Sequence, residues 1–184
     1  MLSSFGLPPF SVLFLAFLLA GTVLGLALLR RHAHHVRRHR DAVPQPFADA
    51  IPLHSHQRAA DYTIAKLRFG LLELLLAAAV LLGWTLLGGL DALNGALLGA
   101  VGPRPLAQPL ALLVVFALGN GPIDIPGALY HTFVIEQRFG FNTMSWRLWL
   151  IDLLKTALVS TVIGVPLAAL VLWLMQATGT LWWL

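Results

Sequence analysis

Four long stretches of this 184-residue chain carry no charged side chain: residues 1–29, 74–90, 105–123 and 156–184. A helix needs roughly 20 apolar residues to cross a hydrocarbon core of about 30 Å. Lipid offers the backbone no hydrogen-bond partners, so a spanning segment must be a helix or part of a closed barrel. No alternating ten-residue pattern suggests a barrel. The reading is an all-α polytopic integral membrane protein with about four transmembrane helices, near residues 8–29, 67–90, 105–127 and 146–177. Composition agrees, since 58% of the residues are hydrophobic and 11% charged, against about 25% charged in a soluble domain. The chain is also too apolar to be disordered. It has no cysteine, which excludes a disulfide framework, a thiolate zinc site and a cysteine nucleophile.

Charge is concentrated where the first stretch ends. Arg30, Arg31, Arg37, Arg38 and Arg40 fall within eleven residues, followed by Arg58 and Lys66, whereas the connection between the second and third spans offers only Arg104. Positive charge marks the cytoplasmic side. The expectation is therefore an N-terminus outside, with loops 30–66 and 128–145 cytoplasmic and a bacterial inner membrane as the setting. A cleaved signal peptide has its cations before the apolar run; here they follow it, so the first segment is expected to stay as an anchor. The run Arg30–Arg40 is expected to lie on anionic headgroups, each Arg contributing on the order of 1 kcal/mol. His32, His34, His35, His39, His54 and His56 lie in or near this run, and the surrounding arginines would repel a metal ion. No nucleic-acid partner is expected.

Other residues punctuate the spans. Trp84, Trp146, Trp149, Trp182 and Trp183 lie near predicted span ends, where an indole keeps its N–H wet. Pro122 and Pro126 should kink or loosen the end of the third span. Gly21-x-x-x-Gly25 and Gly95-x-x-x-Gly99 have the spacing of close helix contacts. Glu73 is placed to pair with Lys66 or Arg68, and Asp152 with Lys155 at i, i+3. His131 reads as a satisfied helix-end histidine.

None of the seven histidines is followed by glutamate, so the HExxH zinc-peptidase helix is absent from the chain, as are GxSxG and a Walker loop. One segment stands out. Pro126–Asn142, PGALYHTFVIEQRFGFN, reads as a helix end followed by a turn. Gly140 would permit a tight reversal with positive φ, and Asn142, Thr143 and Ser145 are candidate caps for the next helix. Phe139 and Phe141 are expected to bury against neighbouring helices and to orient Glu136 and Asn142 inward.

The run Phe133-Val134-Ile135-Glu136-x-x-Phe139-Gly140-Phe141-Asn142, followed by Asp152 and Lys155, resembles the N-terminal membrane region of type I CAAX prenyl endopeptidases. These are integral-membrane zinc metallopeptidases. The upstream run His56–Gly70, HQRAADYTIAKLRFG, which contains Tyr62 and Lys66, is similar to bacterial members. The resemblance implies a bundle of seven membrane helices around a chamber, closed by a cytoplasmic zinc domain. That domain cuts near the C-terminus of prenylated proteins or serves membrane-protein quality control. It also implies that the catalytic HExxH lies downstream of the matched region. No catalytic or metal-binding residue is carried over, and zinc belongs to the full-length family. Tyr62, Lys66, Glu136, Phe139, Gly140, Asn142, Asp152 and Lys155 are carried over as motif positions with a structural or chamber role. A missing C-terminal catalytic part is the expected partner, beside the lipid bilayer. Two other readings stay open: a non-catalytic membrane scaffold or binding protein derived from that family, and a His-rich metal-binding membrane protein.

Overall fold

A computed structural model of the chain describes residues 8–179; Trp182 and Trp183 lie outside them. The described chain is all-α. Helix α1 is Pro9–Arg38, α2 Leu53–Thr85, α3 Gly89–Val101 and α4 Ala107–Tyr130. A π-helical segment, His131–Glu136, and a last α turn, α5 (Gln137–Phe139), continue α4 directly, and α6 is Trp146–Thr178. Among the described residues four helices are long and apolar enough to cross a membrane: Pro9–Arg38, Leu53–Thr85, Ala107–Phe139 and Trp146–Thr178.

Several element boundaries differ from the expectation, and the direction is consistent. The anticipated loop 30–66 is largely helical: α1 carries the basic run as far as Arg38, and α2 begins at Leu53, with a 3-10 turn Gln45–Phe47 between them. Apolar runs report what lies in hydrocarbon, but a helix continues into water wherever residues of good propensity such as arginine and alanine follow. The anticipated outer loop before span three contains α3, whose 13 residues are apolar but too few to cross. Pro122 and Pro126 sit inside α4 without ending it. Each lacks an N–H, so two carbonyls lose their usual partners. The helix loosens further on, as the π segment.

The chain forms two compact units. Among the described residues, one holds 8–88 together with Leu129–Asn142; the other holds Gly89–Ala128 and 143–179. In the first, α1 and α2 run side by side. Gly25 makes that approach possible, because a Cβ there would stand 2.8 Å from the Leu74 side chain, while Gly21 faces open space. Among the described residues the buried apolar side chains are Ala60, Ile64 and Ile135, all in this unit. In the second, the Gln108 amide donates to Asn94 of α3, and Gln176 of α6 donates to the Pro105 carbonyl at 2.6 Å. Many of the remaining large apolar side chains are exposed, Leu158, Val162 and Ile163 among them, as lipid-facing surface requires.

Candidate functional site

Helical spacing puts Arg58, Tyr62, Lys66 and Phe69 on one face of α2, at successive steps of four, four and three residues. The π segment and the turn after it pack against that face. Tyr62 contacts two aromatic rings, Phe139 edge-on at 5.6 Å between centroids and Phe141 at 4.7 Å. Phe69 meets Tyr130 at 4.8 Å. Arg58 donates to the Phe139 carbonyl, and its guanidinium stands 5.9 Å from the Phe141 ring. Lys66 Nζ lies 5.2 Å from the Tyr62 ring centre, so the ring contacts a cation as well as the two phenyl rings. The two segments that stood out in the sequence, some 75 residues apart, thus form one joint.

The turn at the joint has a defined chemistry. Gly140 takes φ 71° and ψ 25°, the left-handed conformation. The Phe141 N–H donates to the Glu136 carbonyl at 2.9 Å and the Gly140 N–H to the Gln137 carbonyl at 3.1 Å. This pair of bonds is the Schellman cap, which satisfies carbonyls that the helix end would otherwise orphan. A Cβ on Gly140 would stand 2.6 Å from the Arg58 guanidinium, the end of a flexible side chain that would have to shift, so it is the positive φ that favours glycine here. Of the three candidate caps for α6, Ser145 performs the role, its Oγ accepting from the Leu148 N–H at 3.3 Å. The Asn142 side chain instead donates to Gln137 Oε1 at 2.9 Å.

The π segment creates a second pairing. A π turn closes i→i+5 bonds and brings residues five apart onto one face, whereas α-helical neighbours are three and four apart. His131 Nδ1 consequently lies 3.4 Å from Glu136 Oε1, with both side chains half-buried. His131 is therefore internal to the long helix rather than at its end. A cleft of about 530 Å³ lies between α2 and the π segment, lined by Phe69, Leu72, Tyr130 and Ile135 together with Arg68 and Arg138.

A clasp that the sequence reading missed ties the ends of α1 and α2. Arg40 donates through Nε and Nη2 to the two carboxylate oxygens of Asp61, at 2.7 and 2.8 Å, and through Nη1 to Asp41 at 2.8 Å. These hydrogen bonds, Asp61 first, raise the Arg40 pKa above its ordinary value. Gln57 donates to Asp41, and His56 Nε2 lies 2.8 Å from the His39 carbonyl. The available signal was a lone acidic residue, Asp61, one residue before Tyr62 in an otherwise basic stretch.

The structure departs from the sequence reading at three further points. Phe141 is half exposed rather than buried, since its ring lies on Tyr62 at the surface. Asp152 and Lys155 are both exposed and make no ion pair with each other, and Glu73 pairs with neither Lys66 nor Arg68. Glu136 is oriented by His131 and Asn142 by Gln137, both local partners. Among the described residues no group of three or more His, Asp or Glu could hold a metal ion.

Comparison with known proteins gives a consistent result. A family model described as CAAX prenyl protease N-terminal, five membrane helices, matches residues 32–184. A CAAX prenyl protease 1 homolog of Oryza sativa is 27% identical over 154 residues, covering 78% of this chain and 36% of that protein. CAAX prenyl protease 1 of Saccharomyces cerevisiae is 27% identical over 153 residues, covering 77% and 34%. The chain thus spans about a third of the length of these relatives. The crystal structure of S. mikatae Ste24p superposes with a TM-score of 0.83 at 23% identity, covering 95% of this chain and 41% of that one, which is a likeness of fold. By the match of the family model over most of its length, this chain belongs to the CAAX prenyl protease N-terminal family.

Proposed function

We propose that this chain is the N-terminal membrane domain of a zinc metalloendopeptidase that processes prenylated CAAX-type proteins or clears membrane proteins. The observation that carries the proposal is the joint. The residues that resemble the family's motifs are those that lock α2 to the π segment: Tyr62, Lys66, Phe139 and Gly140, with Glu136 and Asn142 held beside them. These six act as positioning residues. Asp152 and Lys155, exposed on α6, are offered to a neighbouring part of the complete protein. The described residues do not fit a catalytic zinc, because no cluster of ligands converges and no histidine begins HExxH. We assign the ion to a segment outside this chain, and no chemical step to this chain's own side chains.

Arg30, Arg31, Arg37, Arg38 and Arg40 support a cytoplasmic location for the region between α1 and α2, against anionic headgroups. Single cysteines at Ala42 and Ala100 test this: an impermeant thiol reagent on intact cells should label Ala100→Cys, and Ala42→Cys only after lysis. The peptidase reading is tested by a chimaera in which residues 32–184 replace the matched part of the S. cerevisiae protease. Chelator-sensitive cleavage of a farnesylated CAAX peptide is expected. A chimaera that is monodisperse and stable in detergent yet inactive would overturn the reading.

A further inference from the structure

Arg30, His34 and Arg37 follow one another at four and three residues along α1, and so share a face. Opposite them on α2 stands Arg68, and between the two helices lies a cavity of about 260 Å³. Its four polar rim residues are exposed, while Leu29 and Leu71 line its half-buried floor. The rim arginines, Arg30, Arg37 and Arg68, join no ion pair among the described residues. Of the acidic residues between Arg38 and Arg68, Asp41 and Asp61 are held by Arg40, and Asp49 lies exposed in the connection.

The cavity also sits at a membrane boundary on both of its walls. The charge-free stretch 1–29 ends one residue before Arg30, and on the antiparallel α2 only Glu73 carries charge between Arg68 and residue 90. Arg30 and Arg68 thus stand where the long apolar stretches of their helices end, the level at which lipid phosphates are expected.

We propose that this cavity seats one anionic phospholipid. The guanidinium groups of Arg30, Arg37 and Arg68 surround its phosphate, and its acyl chains descend along Leu29 and Leu71. Guanidinium forks match phosphate oxygens in bidentate fashion, and basic pockets between membrane helices are suited to lipid head groups. A free phosphate would satisfy the rim but not the apolar floor, which commits the occupant to a lipid. The site does not depend on any peptidase activity.

The test is a titration of the full chain in detergent with dioctanoyl phosphatidylglycerol, read by native mass spectrometry and by thermal shift. Dioctanoyl phosphatidylcholine and glycerol phosphate serve as comparison ligands. Phosphatidylglycerol should bind and stabilise, and the other two should not. The variant R30Q/R37Q should weaken binding about tenfold or more. The variant R31Q/R38Q removes the same charge from the same helix on residues outside the cavity, and should change binding less than about twofold. Should R30Q/R37Q fail to fold, R68Q on the facing helix gives the same reading. Equal losses in the two double variants would overturn the site in favour of diffuse attraction. Equal protection by glycerol phosphate would overturn the lipid as occupant.

Discussion

The joint between α2 and the π segment and the long helix α6 represent two ways for a membrane chain to use its side chains. At the joint, Arg58, Tyr62, Lys66 and Phe139 each have a named partner, and the buried residues Ala60, Ile64 and Ile135 lie alongside. Helix α6 has the same length as α2, 33 residues, but buries none of them. Its Leu154, Leu158, Val162, Ile163 and Leu167 are all more than half exposed. Lipid tails are as apolar as leucine, so apolar area alone does not drive one membrane helix onto another. Specific aromatic, cationic and backbone contacts do, and they are concentrated at the joint.

The largest effect expected from this contrast is at Gly140. Gly140→Val forces a β-branched residue to φ 71° and displaces the Arg58 guanidinium, the backbone strain costing about 1–3 kcal/mol. Gly99→Val should be nearly silent, because Gly99 lies within α3 (not in a loop) and faces open space. Melting both variants in detergent checks this, and equal Tm values would remove the constrained turn. In a full-length relative, the change equivalent to Gly140→Val should also lower proteolysis if the joint positions the rest of the protein.

Next comes Tyr62→Leu, which deletes two ring contacts and the seat of Lys66. Its expected cost is about 1–2 kcal/mol. Trp173→Leu on α6 removes an equally large but exposed ring, and should fall within about 0.5 kcal/mol of the parent. A larger loss at Trp173 would reverse the ranking of the two regions.

A smaller effect is expected from Asp61→Asn, which opens a clasp whose partners are both partly exposed. Surface ion pairs are screened by salt. The Tm difference from the parent should therefore shrink as salt is raised toward about 1 M, where screening extends only about 3 Å. A difference unchanged by salt would mean that Asp61 acts through packing. Smallest of all is Asp152→Asn, within about 0.5 kcal/mol of the parent, since Asp152 has no ion-pair partner among the described residues. A clear loss would show that α6 carries a contact that its exposure conceals.

Much of this molecule was legible in the residues. Charge-free runs located the long apolar helices, because an unpaired charge in hydrocarbon is expensive whatever the tertiary fold. Gly140 could be assigned to a tight turn, since few residues reach positive φ without steric cost. Helix ends were less legible. The basic run through Arg38 and the apolar 13 residues of α3 are both helical, and hydropathy reports the surrounding solvent, not the backbone conformation.

The sequence by itself determined that this is an all-α membrane chain with a constrained turn at Gly140, because both follow from local chemistry: the cost of charge in lipid and the steric limits on φ. Only the tertiary structure decided that the His56–Gly70 and Phe133–Asn142 segments meet, that Arg40 clasps Asp61, and that His131 faces Glu136. Each of those contacts depends on how helices are rotated about their axes, or on where α geometry gives way to π. A rotation or a change of helical pitch is settled by packing between distant segments, and no local run of residues encodes it.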